Sequence, residues 1–299
     1  LANGFISHRD NFELKEKIKD EKFVKIFYKS LLKLVYKILF LMVIEERNLI
    51  FPEFDKNDAE KNFHKRVYYD YYSVSKWREI AEKAHLTSEK GKDYWIGLQS
   101  TFRLFDVVSG GNLKMPGEPL SISPLGSDLF DSSKDSEMDG GINLARYSLS
   151  NKIFAHFIKN LTLFYNEETS QLTRINYAAL NVEEFGSVYE KMLEKNPRIE
   201  NNNFDFEKGQ ERAATGSHYT PDELVLPIVK HSLDYVIEEK LKQNCKKEEK
   251  INSLLSIKLC DPACGSGHLL LNAARRIART LATVETEEEQ PSTEAFRKA

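Results

Sequence analysis

A glycine loop between an apolar segment and a helix-like stretch constrains the fold of this chain more than any other feature. The loop covers residues 261–267 and contains Gly265 and Gly267; the apolar run 257–260 precedes it and a helical pattern over 269–281 follows. Glycine has no Cβ, so the backbone can turn sharply and approach a ligand closely. The N–H groups at the start of the helix would face that ligand. Strand, glycine loop and helix in this order hold nucleotide-like ligands in open α/β sheets.

The loop differs from two common phosphate-binding motifs. The dinucleotide fingerprint requires a small residue three positions after Gly267, and Leu270 stands there. A Walker loop requires Lys-Ser or Lys-Thr after the glycines, and neither follows. The ligand therefore has to be inferred from other residues.

A second phrase, Gly-Ser-His-Tyr-Thr-Pro at residues 216–221, precedes a predicted helix. Thr220 is expected as the N-cap, Pro221 as the first helical residue and Glu223 as the partner that completes a capping box. Capping in this form would orient free backbone N–H groups toward the phrase.

The apolar pattern in the remainder of the chain predicts a helical bundle. Apolar residues recur at three- and four-residue steps over residues 20–47, which indicates a long, central helix. A lysine stripe shares this segment and consists of Lys25, Lys29, Lys33 and Lys37. The stripe could face phosphates, but a solvated helix face is the favoured interpretation.

A tyrosine cluster at Tyr68, Tyr69, Tyr71 and Tyr72 has two interpretations. Aromatic rings can stack on nucleic-acid bases. More often they pack a small core with their hydroxyls at its rim, and that interpretation is favoured.

Composition limits the compartment and the class of protein. The 299 residues carry a net charge of −3, so the chain as a whole does not attract nucleic acid, although a local basic face remains compatible with that charge. Three cysteines show no metal-ligand spacing, which favours a reduced cytoplasmic compartment and predicts no metal site. Cys260 and Cys264 flank the glycine loop, where small apolar residues suit packing.

No uncharged run approaches the ~20 residues of a membrane span.

At these residues the chain resembles a known family. Residues 261–268 resemble motif I of S-adenosylmethionine-dependent adenine-N6 DNA methyltransferases, and residues 216–221 resemble their motif X. Motif X lies before motif I, as in the gamma class. The flanking segments 184–190 and 31–47 are similar to helical elements of large type IIG-like restriction-modification proteins.

The resemblance implies a cofactor site for S-adenosyl-L-methionine. Tyr219, Thr220 and Pro221 would lie near the carboxylate of its methionine end. Asp261 would lie near its charged amino-acid part, although a loop cap is the alternative role for this residue. The loop beneath the cofactor would consist of Pro262, Ala263, Cys264, Gly265, Ser266 and Gly267. Neither His218 nor His268 is assigned a catalytic role.

Other parts of the family pattern are missing from this sequence. The catalytic Asn-Pro-Pro-Tyr or Asn-Pro-Pro-Phe motif does not occur, because Asn196-Pro197 is followed by Arg198. No catalytic residue is therefore predicted, nor can the acid expected after the second strand, a target recognition domain or a nuclease signature be placed. The first residue is Leu, and we expect a fragment of a longer protein that is inactive by itself.

The predicted fold is mainly α. Residues 1–195 are expected to form a helical N-terminal domain, 196–214 a connector, and 215–299 the truncated start of a Rossmann-like α/β methyltransferase domain. Residues 257–260 are expected to lack a parallel partner strand in this chain, since a parallel sheet needs several neighbouring strands.

The resemblance implies part of a DNA adenine-N6 methyltransferase of a restriction-modification or phage-defence system. Its partners would be double-stranded DNA, the remainder of the methyltransferase and a target recognition domain, with no membrane. Two alternatives remain: a methyltransferase acting on RNA or another substrate, and a non-enzymatic helical scaffold that contacts DNA. An Asn-Pro-Pro-Tyr motif downstream would favour the DNA adenine methyltransferase over a methyltransferase on RNA or another substrate. Strongly salt-dependent DNA binding by residues 1–200 would support the scaffold.

Overall fold

The computed structural model describes most of the chain as two compact units. The described residues are 1–51, 58–83, 88–107, 115–136, 141–167, 169–180, 184, 186, 188, 192, 195–207, 220–243, 246–265 and 267–298. The first unit contains Leu1–Leu180 and Lys195–Glu211, and the second contains Asn181–Glu194 and Arg212–Ala299. Residues 216–219 of the second phrase and most of 184–190 lie outside the described residues.

The described elements are mostly helices, as the sequence predicts. In the first unit they are α1 (Ala2–Ser7), α2 (Phe12–Lys17), α3 (Glu21–Glu46), α4 (Ala59–Tyr71), α5 (Val74–Glu82), α6 (Asp93–Leu104) and α7 (Asn151–Thr162). Short 3-10 turns cover Glu118–Leu120, Ser132–Lys134 and Leu144–Arg146. Two hairpins pair β1 (Leu163–Asn166) with β2 (Gln171–Arg174) and β3 (Pro197–Glu200) with β4 (Asn203–Phe206), both antiparallel. The second unit contains α8 (Asp222–Lys242), α9 (Lys247–Leu255), α10 (His268–Thr286) and α11 (Thr293–Lys298).

Helix α3 forms the centre of the first unit, which confirms the helix predicted over residues 20–47. Asp20 caps its N-terminus and accepts a 3.0 Å hydrogen bond from the Lys22 N–H. Buried apolar residues line most of its length, among them Phe27, Ile38 and Leu41 at 0% exposure. Each Å² of apolar surface buried stabilises a fold by about 25 cal/mol. Because so many apolar side chains of α3 are buried, this helix contributes a large share of the stability of the unit.

The lysine stripe on α3 divides into two halves. Lys25 and Lys29 are exposed, as expected for a solvated face. Lys33 and Lys37 instead contact Asp135, with Nζ atoms 2.6 and 3.3 Å from its carboxylate oxygens. Burial lowers the pKa of Lys37, and the charge of Asp135 opposes that shift. The solvated-face interpretation is therefore wrong for this half, because a loop distant in sequence supplies an acid.

The tyrosine cluster packs rather than forming an open stacking platform. Tyr68 is fully buried, and its ring lies edge-on to Phe51 and Phe105. Its hydroxyl donates a 2.8 Å hydrogen bond to Glu45. Tyr71, by contrast, is 64% exposed.

The end of α3 joins several elements of the first unit. The buried Glu45 carboxylate accepts hydrogen bonds from the Val74 and Ser75 N–H groups at 2.6 and 2.9 Å, at the start of α5. Glu46 accepts from Arg78 at 2.8 Å. Arg47 donates to the carbonyl oxygens of Ala178 and Leu180. The Glu-Glu-Arg triplet therefore connects α3 to α5 and to residues 178–180.

Hairpin β3–β4 lies within the stretch that the sequence assigns to a connector. Its turn residues Asn201 and Asn202 have φ of 51° and 62°, the conformation that tight hairpins with asparagine favour. Phe204 packs against Phe27 and Tyr28 of α3. The Asn3 side chain also pairs with both backbone groups of Phe204, at 2.7 and 3.1 Å. Residues 196–207 of this stretch therefore belong to the first unit.

Among the described residues, three helices form the core of the second unit. Val225, Val229, Leu233 and Ile237 of α8 recur at four-residue spacing, which places them on one helix face. They pack with Leu254 of α9 and with Ala273 and Leu281 of α10. No helix in the described part of the chain is long and apolar enough to cross a membrane.

Residues 257–260 do not form a strand. Both described sheets are antiparallel pairs, so the expected absence of a parallel partner is confirmed for the described residues. The expectation that these residues form a strand is wrong. A strand needs a neighbour to satisfy its backbone hydrogen bonds, and only Ile257 packs against the helical core.

Candidate functional site

The glycine loop is a tight turn held by its own hydrogen bonds. The Asp261 Oδ1 atom accepts a 3.0 Å hydrogen bond from the Ala263 N–H, and the Gly267 N–H donates to the Cys264 carbonyl at 2.6 Å. Gly265 and Gly267 have φ of 50° and 80°. These values lie in the left-handed region, which residues with a Cβ adopt at a cost. The conformation of the loop thus explains both glycines.

The space around the glycines is open. A Cβ at Gly267 would meet no atom within 4 Å, and one at Gly265 would meet only the Ala263 carbonyl at 4.0 Å. The residues between Pro262 and Gly265 are exposed. Packing within the protein therefore does not require these glycines, and the backbone surface of the loop is accessible to a ligand.

The loop leads directly into the N-terminus of α10, a helix of 19 residues. Gly267 is its N-cap, with no side-chain capping bond and no acidic residue in the first turn. The first N–H groups of a helix have no intrahelical acceptor, and the helix dipole places a partial positive charge there. This end of the helix favours an anionic or electron-rich ligand group.

His268 connects the glycine loop to the start of α8. Its ring is 5% exposed, and Nδ1 lies 3.0 Å from the Thr220 carbonyl oxygen. Its Nε2 lies 2.8 Å from Asp222 Oδ1, although the two atoms are not aligned for a hydrogen bond. The two phrases identified in the sequence therefore meet at this side chain. His268 is therefore a packed residue, as the sequence predicts.

Helix α8 begins one residue later than the sequence predicts. Pro221 is the N-cap, with extended φ and ψ of −61° and 149°, and the helix starts at Asp222. The Pro221 carbonyl accepts from the Leu224 and Val225 N–H groups at 2.9 and 3.1 Å. The predicted capping box from Thr220 to Glu223 is therefore wrong. The fixed φ of proline suits an extended cap as well as a first helical turn.

A second contact holds α10 against α8. The Arg276 guanidinium donates two hydrogen bonds to the Asp234 carboxylate, at 2.8 and 2.7 Å. These hydrogen bonds raise the pKa of Arg276. Planar bidentate pairing fixes orientation more strongly than a single contact, so this pair, near the middle of both helices, supports the geometry that His268 sets at their N-termini.

The described site residues are Thr220, Pro221, Asp261, Pro262, Ala263, Cys264, Gly265 and Gly267, whereas Tyr219 and Ser266 lie outside the described residues. Cys260 and Cys264 are exposed free thiols, so the expectation that they pack is wrong. The loop-cap role of Asp261 is present, because its carboxylate binds the Ala263 N–H. A carboxylate has further acceptor sites, and this contact leaves it able to bind a cation as well.

Asp222 and His268 carry the contact between the two phrases, and sequence reasoning did not assign either to the site. A histidine directly after a glycine loop and an acid in the first turn of a preceding helix are the signal that could have suggested them. Asn196-Pro197-Arg198 has a structural role. Its proline begins β3, and Arg198 lies 2.6 Å from Glu200 of the same strand.

The chain is distantly similar to one curated relative. It is 23% identical over 277 aligned residues to a protein of Methanocaldococcus jannaschii named "Putative type II restriction enzyme and methyltransferase". The alignment covers 82% of this chain but 20% of that protein, so the chain spans about a fifth of the relative's length. No family model and no solved structure matches the chain. Over most of its length, the chain is thus related in sequence to a protein named as both a restriction enzyme and a methyltransferase.

Proposed function

We propose that this chain contributes part of the S-adenosyl-L-methionine site of an adenine-N6 DNA methyltransferase in a restriction-modification system. The observation that carries the proposal is the contact of His268 with Thr220, which joins the two methyltransferase-like phrases at the edge of an open glycine loop. The name of the relative, which includes a methyltransferase, supports the same class.

The residues of the site fit the chemistry of this cofactor. Because Gly265 and Gly267 carry no side chain, the space beside the loop is open to a ligand. Asp261 provides a carboxylate for the cationic amine, while the N-terminus of α10 provides N–H groups for a carboxylate or a hydroxyl. Thr220 and Pro221, with Tyr219 before them, would border the methionine end.

When bound, the cofactor would supply an electrophilic methyl group on a sulfonium. The residues of this chain would bind and orient it rather than move protons. His268 and Asp222 position the start of α8 against the loop, and the Arg276–Asp234 pair maintains the packing of the two helices. The acceptor adenine would need to leave the base stack to be reached, and no residue of this chain is assigned to hold it.

A methyl-transfer assay on the full-length protein tests the proposal. The protein would be incubated with S-adenosylmethionine and a mixed-sequence duplex, and the digested nucleosides analysed by mass spectrometry. We expect N6-methyladenine, with no methylation of RNA of the same sequence. Methylated cytosine, methylated RNA, or no product on a wide set of duplexes would contradict the proposal.

A loop variant links the activity to the site described above. Asp261→Asn keeps an oxygen for the Ala263 N–H but removes the negative charge. We expect the apparent KM for S-adenosylmethionine to rise by about tenfold, on the order of a lost charge-assisted hydrogen bond. Glu248→Gln, which removes a negative charge from the exposed face of α9, is the matched control and should leave KM nearly unchanged.

A further inference from the structure

A polar cavity lies where three segments of the first unit meet. Its volume is about 500 Å³, and its walls come from α1 with residues 8–10, from residues 89–92, and from the start of α7. Small-molecule sites commonly occupy about 300–1,000 Å³. The cavity therefore has room for a small ligand, and the proposed methyltransferase site, in the second unit, does not use it.

The walls of the cavity are packed closely against one another. The Asn151 N–H, at the start of α7, donates to the Gly91 carbonyl at 2.7 Å. A Cβ at Gly91 would lie 2.4 Å from the Asn151 side-chain nitrogen, and one at Gly4 of α1 would lie 2.3 Å from Ile153 Cγ2. The cavity is therefore preformed, so a ligand would bind without the cost of ordering its walls.

Positive charge exceeds negative charge among the described residues that line the cavity. Four basic side chains stand against two carboxylates, an excess of two positive charges. The basic residues are Arg9, Lys90, Lys92 and Lys152, and the acidic residues are Asp10 and Glu89. Because Lys152 and Glu89 pair with each other, the excess belongs to the remaining residues.

One carboxylate serves two of these remaining cations. The Lys92 Nζ lies 3.1 Å from Asp10 Oδ2, and the Arg9 Nε lies 3.5 Å from Oδ1 of the same side chain. Lys90 is exposed, and no acid lies within ion-pair distance of it in the described part of the chain. The cavity thus favours an anion beside Lys90 and Arg9.

The lining also offers hydrogen-bonding groups. The Nδ1 of His8 accepts from the Asp10 N–H at 3.2 Å, and burial lowers the pKa of this histidine, so the neutral ring carries its hydrogen on Nε2. The Ser150 hydroxyl accepts from the Ile153 N–H at 3.4 Å and keeps its own hydrogen for a ligand.

The lining favours a polar ligand over an aromatic one. No phenylalanine, tyrosine or tryptophan occurs among the described residues that line the cavity. A nucleotide base would therefore find no ring of this kind to stack on. The carboxylates of Asp10 and Glu89 can instead accept hydrogen bonds from hydroxyl groups.

From these observations we infer that the cavity binds a sugar phosphate, with its phosphate beside Lys90 and Arg9 and its hydroxyls toward Ser150 and the two carboxylates. A phosphate monoester carries about −1.5 to −2 charges at pH 7, which matches the excess of two positive charges. The sugar accounts for the acids in a cavity that otherwise suits an anion.

Calorimetric titration of the full-length protein tests the inference with four probes. They are ribose 5-phosphate, inorganic phosphate, ribose, and a thymidylate decamer without terminal phosphates. Lys90→Glu and Arg9→Glu each reverse one exposed charge of the cavity. Lys25→Glu is the matched control, because Lys25 is exposed on α3 and does not line the cavity.

We expect ribose 5-phosphate to bind about threefold or more tightly than inorganic phosphate, and ribose to bind about tenfold weaker than ribose 5-phosphate or worse. Lys90→Glu and Arg9→Glu should each weaken ribose 5-phosphate by about fivefold or more, and Lys25→Glu by less than about twofold. Melting curves should show that all three variants fold, because the substituted side chains are exposed.

Four results would overturn the inference. They are no binding of ribose 5-phosphate, equal binding of inorganic phosphate or of ribose, unchanged affinity in either cavity variant, and binding of the decamer as tight as that of ribose 5-phosphate. The last result would identify a nucleic-acid surface instead.

The affinity of these variants for S-adenosylmethionine should not change, because the cavity and the glycine loop belong to different units. The inference and the proposed function can therefore fail independently.

Discussion

The Nδ1 atom of His268 lies 3.0 Å from the carbonyl oxygen of Thr220, across 48 residues of sequence. This contact joins the end of the second phrase, residues 216–221, to the helix that follows the glycine loop. Because the ring is buried, its loss would leave polar groups unsatisfied as well as removing a contact.

The first prediction concerns this histidine. His268→Phe keeps a ring of similar size but removes both nitrogen contacts, so we expect the second unit to lose about 1–3 kcal/mol of unfolding free energy. Hydrogen exchange should rise together in the first turns of α8 and α10. His231→Phe, on the exposed face of α8, is the control. Exchange that rises only near residue 268 would contradict the proposed link.

The second prediction concerns Glu45 in the first unit. Its carboxylate accepts hydrogen bonds from Tyr68, Val74 and Ser75 while 3% exposed. Glu45→Gln turns an amide N–H toward these donors, and we expect a loss of about 2–4 kcal/mol in urea unfolding. The same change at the exposed Glu79 of α5 should cost less than about 0.5 kcal/mol. Equal stability of both variants would show that the network contributes little.

The third prediction is a pH dependence from His8. Burial lowers the pKa of His8 below its usual value, and Nδ1 accepts a hydrogen bond from the Asp10 N–H. Asp10 opposes the shift, whereas Lys92, Arg9 and Lys15 add to it. The unfolded chain therefore binds a proton at higher pH than the folded chain, and stability falls as pH drops below about 6.5 toward the folded pKa.

Urea unfolding of the unmodified protein and of His8→Gln, from pH 7.5 to 5, measures how much His8 contributes to the pH dependence of stability. The variant should lose less stability on acidification, and the difference between the two curves should grow as the pH falls. The exposed His156→Gln is the control. Parallel curves for the unmodified protein and His8→Gln would contradict the prediction.

Local patterns in the sequence predict the long helices, but not the structure of residues 257–260, where a strand was expected, or the cap at Thr220. The apolar spacing over 20–47 gives α3 to within one residue at each end, and the absence of neighbouring strand patterns predicts that residues 257–260 lack a parallel partner. The turn at Asn201-Asn202 could have been predicted from its residue types. Periodicity does not predict which distant segments of the chain pack against each other.

The unpredicted features are long-range contacts. Asp135 binds Lys33 and Lys37 from about a hundred residues away, and Asn3 pairs with Phe204. The same applies to the site, where sequence alone gave the glycine loop but not its connection through His268 to Thr220 and Asp222. Such pairs depend on the packed fold, since only there do their side chains come within hydrogen-bonding distance.

The most direct test of the central claim is calorimetric titration of S-adenosylmethionine into the full-length protein and its Gly267→Asn variant. Asparagine tolerates the left-handed conformation of residue 267, so the substitution adds a side chain to open space with little strain. Gly126→Asn is the control, because a Cβ at Gly126 also meets no atom within 4 Å. We expect Gly267→Asn to weaken binding by about tenfold or more and Gly126→Asn to bind as the unmodified protein does. Equal affinity in all three proteins, or no binding to the unmodified protein, would contradict it.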